Sequence, residues 1–301
     1  HGHRGAELWR SHIAGIEHRG TLVVASPRDQ TELRRFAAAT RGYERIGADQ
    51  INALEPELSG RFRAALFFGD EAHMTTPEVL GHLADAVRDA GGEIDYGCAW
   101  EPSHRSDIDQ FAQLGTTADF QSDGERSAGP FRPDWIVDCR GLAAQSELPE
   151  LRGVRGERLV LHAPGVSITR PVRLLHPRQP LYVVPWSGER YLVGATVIES
   201  DDPSPMTVRS ALDLLGLVYA LHPGFGEASI LELSAGVRPS FPDNVPRVTV
   251  DEQRRVIRVN GAYRHGFLLA PALAEMTTDV VLNRTCYGEL VQHIGRGRNA
   301  A

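Results

Sequence analysis

The sequence predicts an α/β fold, mixed with α+β character, in which two domains are interleaved along one chain. Three observations lead there. An amphipathic segment starting at Thr76 runs through Gly91-Gly92 into a strand at 93–96, the helix-then-strand texture of a layered α/β sheet. Residues 158–196 switch to short β-like runs, with Trp186-Ser187-Gly188-Glu189 as a hairpin connection. After a helical stretch over 208–221 the α/β pattern returns from Ile230 onward.

In chain order, residues 6–13 read as a helix, 21–25 as a strand closed by Ser26-Pro27, and 31–40 as a helix. Residues 54–58 read as a short loop and 63–68 as a strand. Thr76-Pro77-Glu78 is a helix start, with Thr76 as cap and Pro77 at the first position, where a missing N–H costs nothing. Leu80, Leu83, Ala84 and Val87 are the expected buried face of that helix, and Glu93 to Tyr96 the strand after it. Residues 101–130 are polar and turn-rich, either a hairpin region or an exposed excursion. Residues 135–139 form a strand ending at Arg140-Gly141-Leu142-Ala143. Such a strand end is where α/β sheets place ligands, and an ordinary turn is the equal alternative. Short strands follow at 158–162, 173–176, 181–184 and 191–196, then the helix at 208–221. A strand at 230–233 runs into Ala235-Gly236-Val237-Arg238-Pro239. Near the end, Asn260-Gly261 is a turn and Gly266 a second flexible point. Pro271 is expected at the first position of a helix whose buried stripe is Leu273, Met276, Val280 and Val281.

A chain of 301 residues with 42% hydrophobic content buries a large core, in one or two domains. A formal charge of −7 argues against nucleic acid as the main partner. No apolar run approaches the roughly 18 residues of a membrane span, and no signal peptide is recognisable. Cys98, Cys139 and Cys286 lie far apart without a CxxC, which fits a reducing cytosol. The histidines show no metal-ligand spacing, so no metal is expected. No GxSxG nucleophile elbow occurs, and no GxGxxG follows a strand. Either the protein does not hold a dinucleotide in the usual way, or an N-terminal βαβ unit has been left off.

Several residues could carry chemistry. Arg238, between Gly236 and Pro239, is placed to grip a carboxylate with its planar, permanently charged fork, or to form a structural ion pair. The same choice holds for Arg264. Tyr182 is either core or a hydroxyl donor to a ligand. Asp243-Asn244 reads as a turn, and Asp70-Glu71-Ala72-His73 as a solvated loop before an acid/base cluster. The start of the last helix offers no capping side chain at Ala270, so its dipole suits an electron-rich ligand unless water or a distant group caps it.

Taken together, six segments resemble the glycine oxidase (ThiO) branch of the D-amino acid oxidase superfamily of flavoenzymes. They are Glu55-Pro56-Glu57-Leu58, the run from Leu66 to His73, Leu181-Tyr182-Val183-Val184-Pro185, Val193-Gly194-Ala195-Thr196, Ala235 to Pro239 with Pro242 to Pro246, and Asn260 to Pro271. The resemblance implies an FAD-binding domain over 71–147 and 231–301 and a substrate domain with a large mixed sheet over 14–70 and 148–230. It implies oxidative deamination of glycine or a similar small amine, with O2 as acceptor and H2O2 as product, feeding thiazole formation in thiamine biosynthesis. Arg238 would clamp the substrate carboxylate, assisted by Tyr182 and Arg264. Gly261, Ala262, Tyr263, Arg264, His265, Gly266, Phe267 and Leu268 would line the flavin, with Trp100 and Gly141 bordering the rest of a non-covalently held FAD. A cytoplasmic homo-oligomer, with thiazole synthase as a possible partner and no membrane or nucleic acid, completes the expectation. The family's strand–GxGxxG–helix opening is absent from this sequence, so the alternative is a non-catalytic carboxylate-binding or scaffold homologue.

Overall fold

The computed structural model describes residues 1–98, 133–284 and 289–294. In chain order the first elements are α1 (Gly2–His12), β1 (Ile16–Glu17), β2 (Thr21–Ala25), α2 (Gln30–Ala39), β3 (Glu44–Gly47), α3 (Ala48–Leu54), β4 (Ala64–Phe68), β5 (His73–Met74) and α4 (Thr76–Asp89). There follow β6 (Ile136–Asp138), β7 (Arg152–His162), β8 (Val172–Leu175), β9 (Leu181–Trp186), β10 (Arg190–Gly194) and α5 (Val208–Leu221). Last come β11 (Ser229–Ser240), β12 (Arg247–Asp251), β13 (Val256–Asn260), α6 (Gly266–Val281) and β14 (Val291–Ile294).

The chain divides into two interleaved units. The first comprises His1–Ser11, Glu93–Gly153 and Arg238–Ala301, and the second His12–Gly92 and Val154–Val237. Residues 71–92 thus cluster with the second unit, where the sequence boundary at 71 had them in the other domain. Pairing is the reason: β5 lies against β1, and the Ser187 amide donates to Thr75 Oγ1 at 3.1 Å.

The second unit is built on an eight-stranded sheet in the order β11-β7-β10-β9-β8-β2-β4-β3. It is mixed, because β2 pairs parallel with β8 and antiparallel with β4. The continuous apolar run of β2 is explained by burial on both faces. Leu22 and Val24 enter one hydrophobic cluster, while Val23 and Ala25 enter another with Leu33 and Ala37 of α2. On the first face lies α5, whose buried residues Ser210, Leu214, Val218 and Leu221 recur at helical spacing. Thr207 caps it by accepting from the Ser210 amide. The 3-10 turn Pro56–Leu58 follows Glu55, a fully buried carboxylate that accepts from the Thr169 amide, Thr169 Oγ1 and Arg170 Nε. That pairing satisfies a charge that would be costly alone.

Two expectations fail here. Residues 93–96 pair with no strand among the described residues, and the expected buried stripe of α4 is buried only in part, with Leu83 and Ala84 half-buried. Val79 is buried, whereas Leu80 and Val87 are 53% and 44% exposed. The helix docks through its first turn instead, with Glu78 bonded to Ser187 Oγ and Arg190. The polar stretch 101–130 lies outside the described residues.

The first unit holds a four-stranded sheet in the order β14-β12-β13-β6. β12 and β13 form an antiparallel pair, and β6 lies parallel to β13. Leu273 and Met276 of α6 pack with Val248, Val250 and Ile257 to make its core, and Val280 and Val281 border it.

Candidate functional site

β6 and β13 run side by side, with Ile136, Val137 and Asp138 opposite Val256, Ile257 and Arg258. Their carboxyl ends therefore open on the same edge, where parallel sheets leave their loops to ligands. Each runs on to a glycine in the left-handed region, Gly141 at φ +62° and Gly261 at φ +79°. Asn260, only 5% exposed, ties these turns together. Its Nδ2 donates to the Gly141 carbonyl at 2.8 Å, and its Oδ1 accepts from the Gly261 amide at 2.8 Å. Phe241 packs under the turn, so closely that a Cβ on Gly261 would lie 2.2 Å from its ring. A Cβ on Gly141 would lie 3.7 Å from Pro239 Cγ, so the turn after β6 reaches the residue next to Arg238.

The end of β6 is held by charge. Arg140 clasps the buried Asp138 carboxylate with Nε at 3.0 Å and Nη2 at 2.9 Å, and donates its backbone amide at 3.1 Å. Burial pushes the Asp138 pKa up, but these bonds and the charges of Arg140 and Arg258 outweigh it and hold the carboxyl below its usual range. Arg140 also pairs with Glu147 at 3.4 Å.

Beyond Gly261 a 3-10 turn, Tyr263–His265, leads into α6, which starts at Gly266. Tyr263 adopts φ +50°. The helix thus begins earlier than the sequence suggests, and Pro271 lies inside it rather than at its first position. A proline there removes the hydrogen bond to the carbonyl four residues back, that of Phe267. Trp9 of α1 supplies the missing donor, its indole N–H lying 2.6 Å from the Phe267 oxygen. α1 approaches this closely because Gly5 has no side chain: a Cβ would fall 1.9 Å from the Leu268 carbonyl. Arg4 bonded to Glu275 fixes the same contact. The start of α6 has no side-chain cap at His265 and no acidic residue in its first turn. Its positive dipole end is therefore left without a counter-charge from its own sequence.

The structure brings Gly141, Gly261, Ala262, Tyr263, Arg264, His265, Gly266, Phe267 and Leu268 to one edge of the first unit. Arg264, His265, Phe267 and Leu268 are exposed there. Arg238 lies within β11, not at a corner after it. β11 is last in the order of its sheet, and an edge strand tolerates Pro239. Tyr182 belongs to the second unit, on β9 opposite Gly194, where its hydroxyl lies 2.6 Å from the place of a Gly194 Cβ. Trp100 lies outside the described residues. The Asp70–His73 cluster does not converge: Asp70 and Glu71 are exposed, while His73 is buried with no hydrogen-bond partner for either ring nitrogen among the described residues. Burial lowers the His73 pKa, Glu17 opposes, and Arg19 and Arg170 add to the shift. Among the described residues no three His, Cys, Asp or Glu side chains gather in a metal-binding group. Sequence reasoning missed the Asn260 clamp, Trp9 and Phe241. An Asn-Gly pair signals a turn, and nothing local shows which distant backbone its amide will reach.

Residues 2–280 match the family model described as DAO, FAD dependent oxidoreductase. The thiamine biosynthesis oxidoreductase ThiO of Rhizobium etli is 48% identical over 274 residues, which cover 91% of this chain and 75% of that protein. A glycine oxidase of Bacillus licheniformis is 25% identical over 300 residues, 96% of this chain and 77% of its own. The bifunctional protein ThiO/ThiG of Synechocystis is 31% identical over 242 residues, 79% of this chain and 35% of that one. In fold, the crystal structure of glycine oxidase from Geobacillus kaustophilus superposes with a TM-score of 0.68 at 22% identity, covering 97% of this chain and 80% of that one.

Proposed function

Because the chain belongs to the FAD dependent oxidoreductase family, in its ThiO and glycine oxidase branch, we propose that it oxidises a small amine or amino acid, with glycine as first candidate. FAD is the cofactor. The balanced reaction is glycine, O2 and water giving glyoxylate, ammonia and H2O2, by way of an imine. The names of the R. etli and Synechocystis relatives support a place in thiamine biosynthesis, with the imine passed on for thiazole formation and thiazole synthase as partner. Cytoplasmic residence and homo-oligomeric assembly belong to the same proposal. No described helix is long and apolar enough to cross a membrane.

The observation that carries the reading is the shared carboxyl edge of β6 and β13 with the start of α6 beside it. Beside Gly141, where a Cβ would meet only Pro239 at 3.7 Å, a planar ring can come close to the backbone. The helix's positive end suits the electron-rich edge of a flavin. These residues fit the flavin end of FAD, while the GxGxxG that cradles a pyrophosphate does not occur in this sequence. Bound FAD supplies the two-electron acceptor. The chain's part is to orient the substrate, since a positioned neutral amine needs no strong base. Arg238 grips the substrate carboxylate and Arg264 assists, while the assignment of Tyr182 rests on the resemblance alone. Gly141 and residues 261–268 line the cofactor, which is held without a covalent tether.

The test is the absorbance near 450 nm of the purified chain with and without added FAD, followed by a peroxide assay with glycine, sarcosine and D-alanine. A flavin band with glycine-dependent peroxide is expected. A flavin band with no peroxide from any of the three amines would overturn the activity.

A further inference from the structure

We propose that Asn260 is a positioning residue for the flavin, setting the spacing between the two glycine turns that receive it. This rests on the reading just given. The ladder between β6 and β13 runs as far as the pair Asp138 and Arg258. Gly141 and Gly261 each lie the same short step beyond that pair, where backbone pairing has stopped and neither residue has a side chain to pack. The Asn260 side chain continues the link across the gap, donating to the Gly141 carbonyl and accepting from the Gly261 amide, both at 2.8 Å. A carboxamide does this because it carries a donor and an acceptor on one planar group. A carboxylate retains the acceptor and loses the donor, and an alkyl chain loses both. At 5% exposure, water does not readily replace the amide. Asn260 presents neither polar atom to the ligand edge, because both are taken up by backbone. It acts by fixing where Gly141 and Gly261 stand.

The experiment compares FAD dissociation constants, by flavin fluorescence titration, for the wild-type chain, Asn260→Asp and Asn260→Ala between pH 5.5 and 8, with thermal unfolding of each apoprotein alongside. Asn260→Asp is expected to weaken FAD at least tenfold at pH 8. Relative to wild type it should recover as the pH falls, because a protonated carboxyl regains a donor for the Gly141 oxygen. Asn260→Ala should lose affinity at every pH. Unfolding midpoints that drop while both dissociation constants stay at the wild-type value would show a merely structural residue and overturn the proposal. If neither variant folds, hydrogen exchange on the wild-type chain decides: FAD should slow exchange of the Gly261 amide, and an unchanged rate overturns the proposal. A wild-type chain that binds no FAD overturns this inference together with the cofactor site above. Binding that both variants leave intact overturns the inference alone.

Discussion

Gly261→Ala tests how tightly the turn after β13 is constrained. At φ +79° an alanine pays about 1–2 kcal/mol for the left-handed conformation. Its Cβ would also lie 2.2 Å from Phe241 Cδ2 and 2.6 Å from Cε2, so the ring or the turn must move. Phe241 has little room, being 2% exposed and covered by the Arg247 guanidinium 4.1 Å from the ring centroid. Overpacking of this kind costs about 1–3 kcal/mol. A stiffer unfolded chain offsets about 0.4–1 kcal/mol. The net expectation is a loss of about 3 kcal/mol, read as a lower midpoint in urea unfolding followed by circular dichroism. Phe241→Leu in the same background separates the two costs. It should destabilise the wild-type chain by about 1 kcal/mol but rescue part of the Gly261→Ala loss, so that the two changes couple by at least 1 kcal/mol. A Gly261→Ala protein within about 0.5 kcal/mol of wild type, or strictly additive variants, would refute the reasoning.

Trp9→Phe leaves the Phe267 carbonyl without its donor and should cost about 1–2 kcal/mol. In a Pro271→Ala background the alanine amide supplies the bond, so urea midpoints should show the Trp9→Phe cost shrinking. His73 is held neutral by burial, with its folded pKa below the ordinary 6.5, so the unfolded chain binds the extra proton first. Its contribution is complete above pH 6.5 and is lost as the pH falls below that. Replacing it by Leu should flatten the slope of stability against pH between 5 and 6.5, and an unchanged slope would exclude the role. Arg238→Ala should raise KM for glycine roughly ten- to a hundredfold, as expected for a lost charge-assisted fork, while the flavin stays bound. Loss of the 450 nm band instead would reassign Arg238 to the cofactor.

Much of the architecture was legible because it rests on local rules. The apolar run of β2, the hairpin at Trp186–Glu189 and the extent of α5 were all readable, since periodicity and turn chemistry act over a few residues. The glycines at 141 and 261 stood out for the same reason. The failures share a cause as well. The α4 stripe looked like a buried face, yet which face docks depends on where Ser187 and Arg190 stand. Pro271 looked like a helix start because the rule for proline is local, whereas the donor that lets it sit inside α6 comes from Trp9.

By itself, then, the sequence determined the α/β class, the interleaving of two units and the glycines that follow β6 and β13. Tertiary structure alone decided that Asn260 joins Gly141 to Gly261, that Gly5 and Trp9 make room and bonding for the start of α6, and that β11 carries Arg238 within a strand. The physical reason is reach. Backbone propensity and hydrophobic period are written into neighbouring residues, but a buried polar group chooses its partner from whatever the folded chain brings within 3 Å.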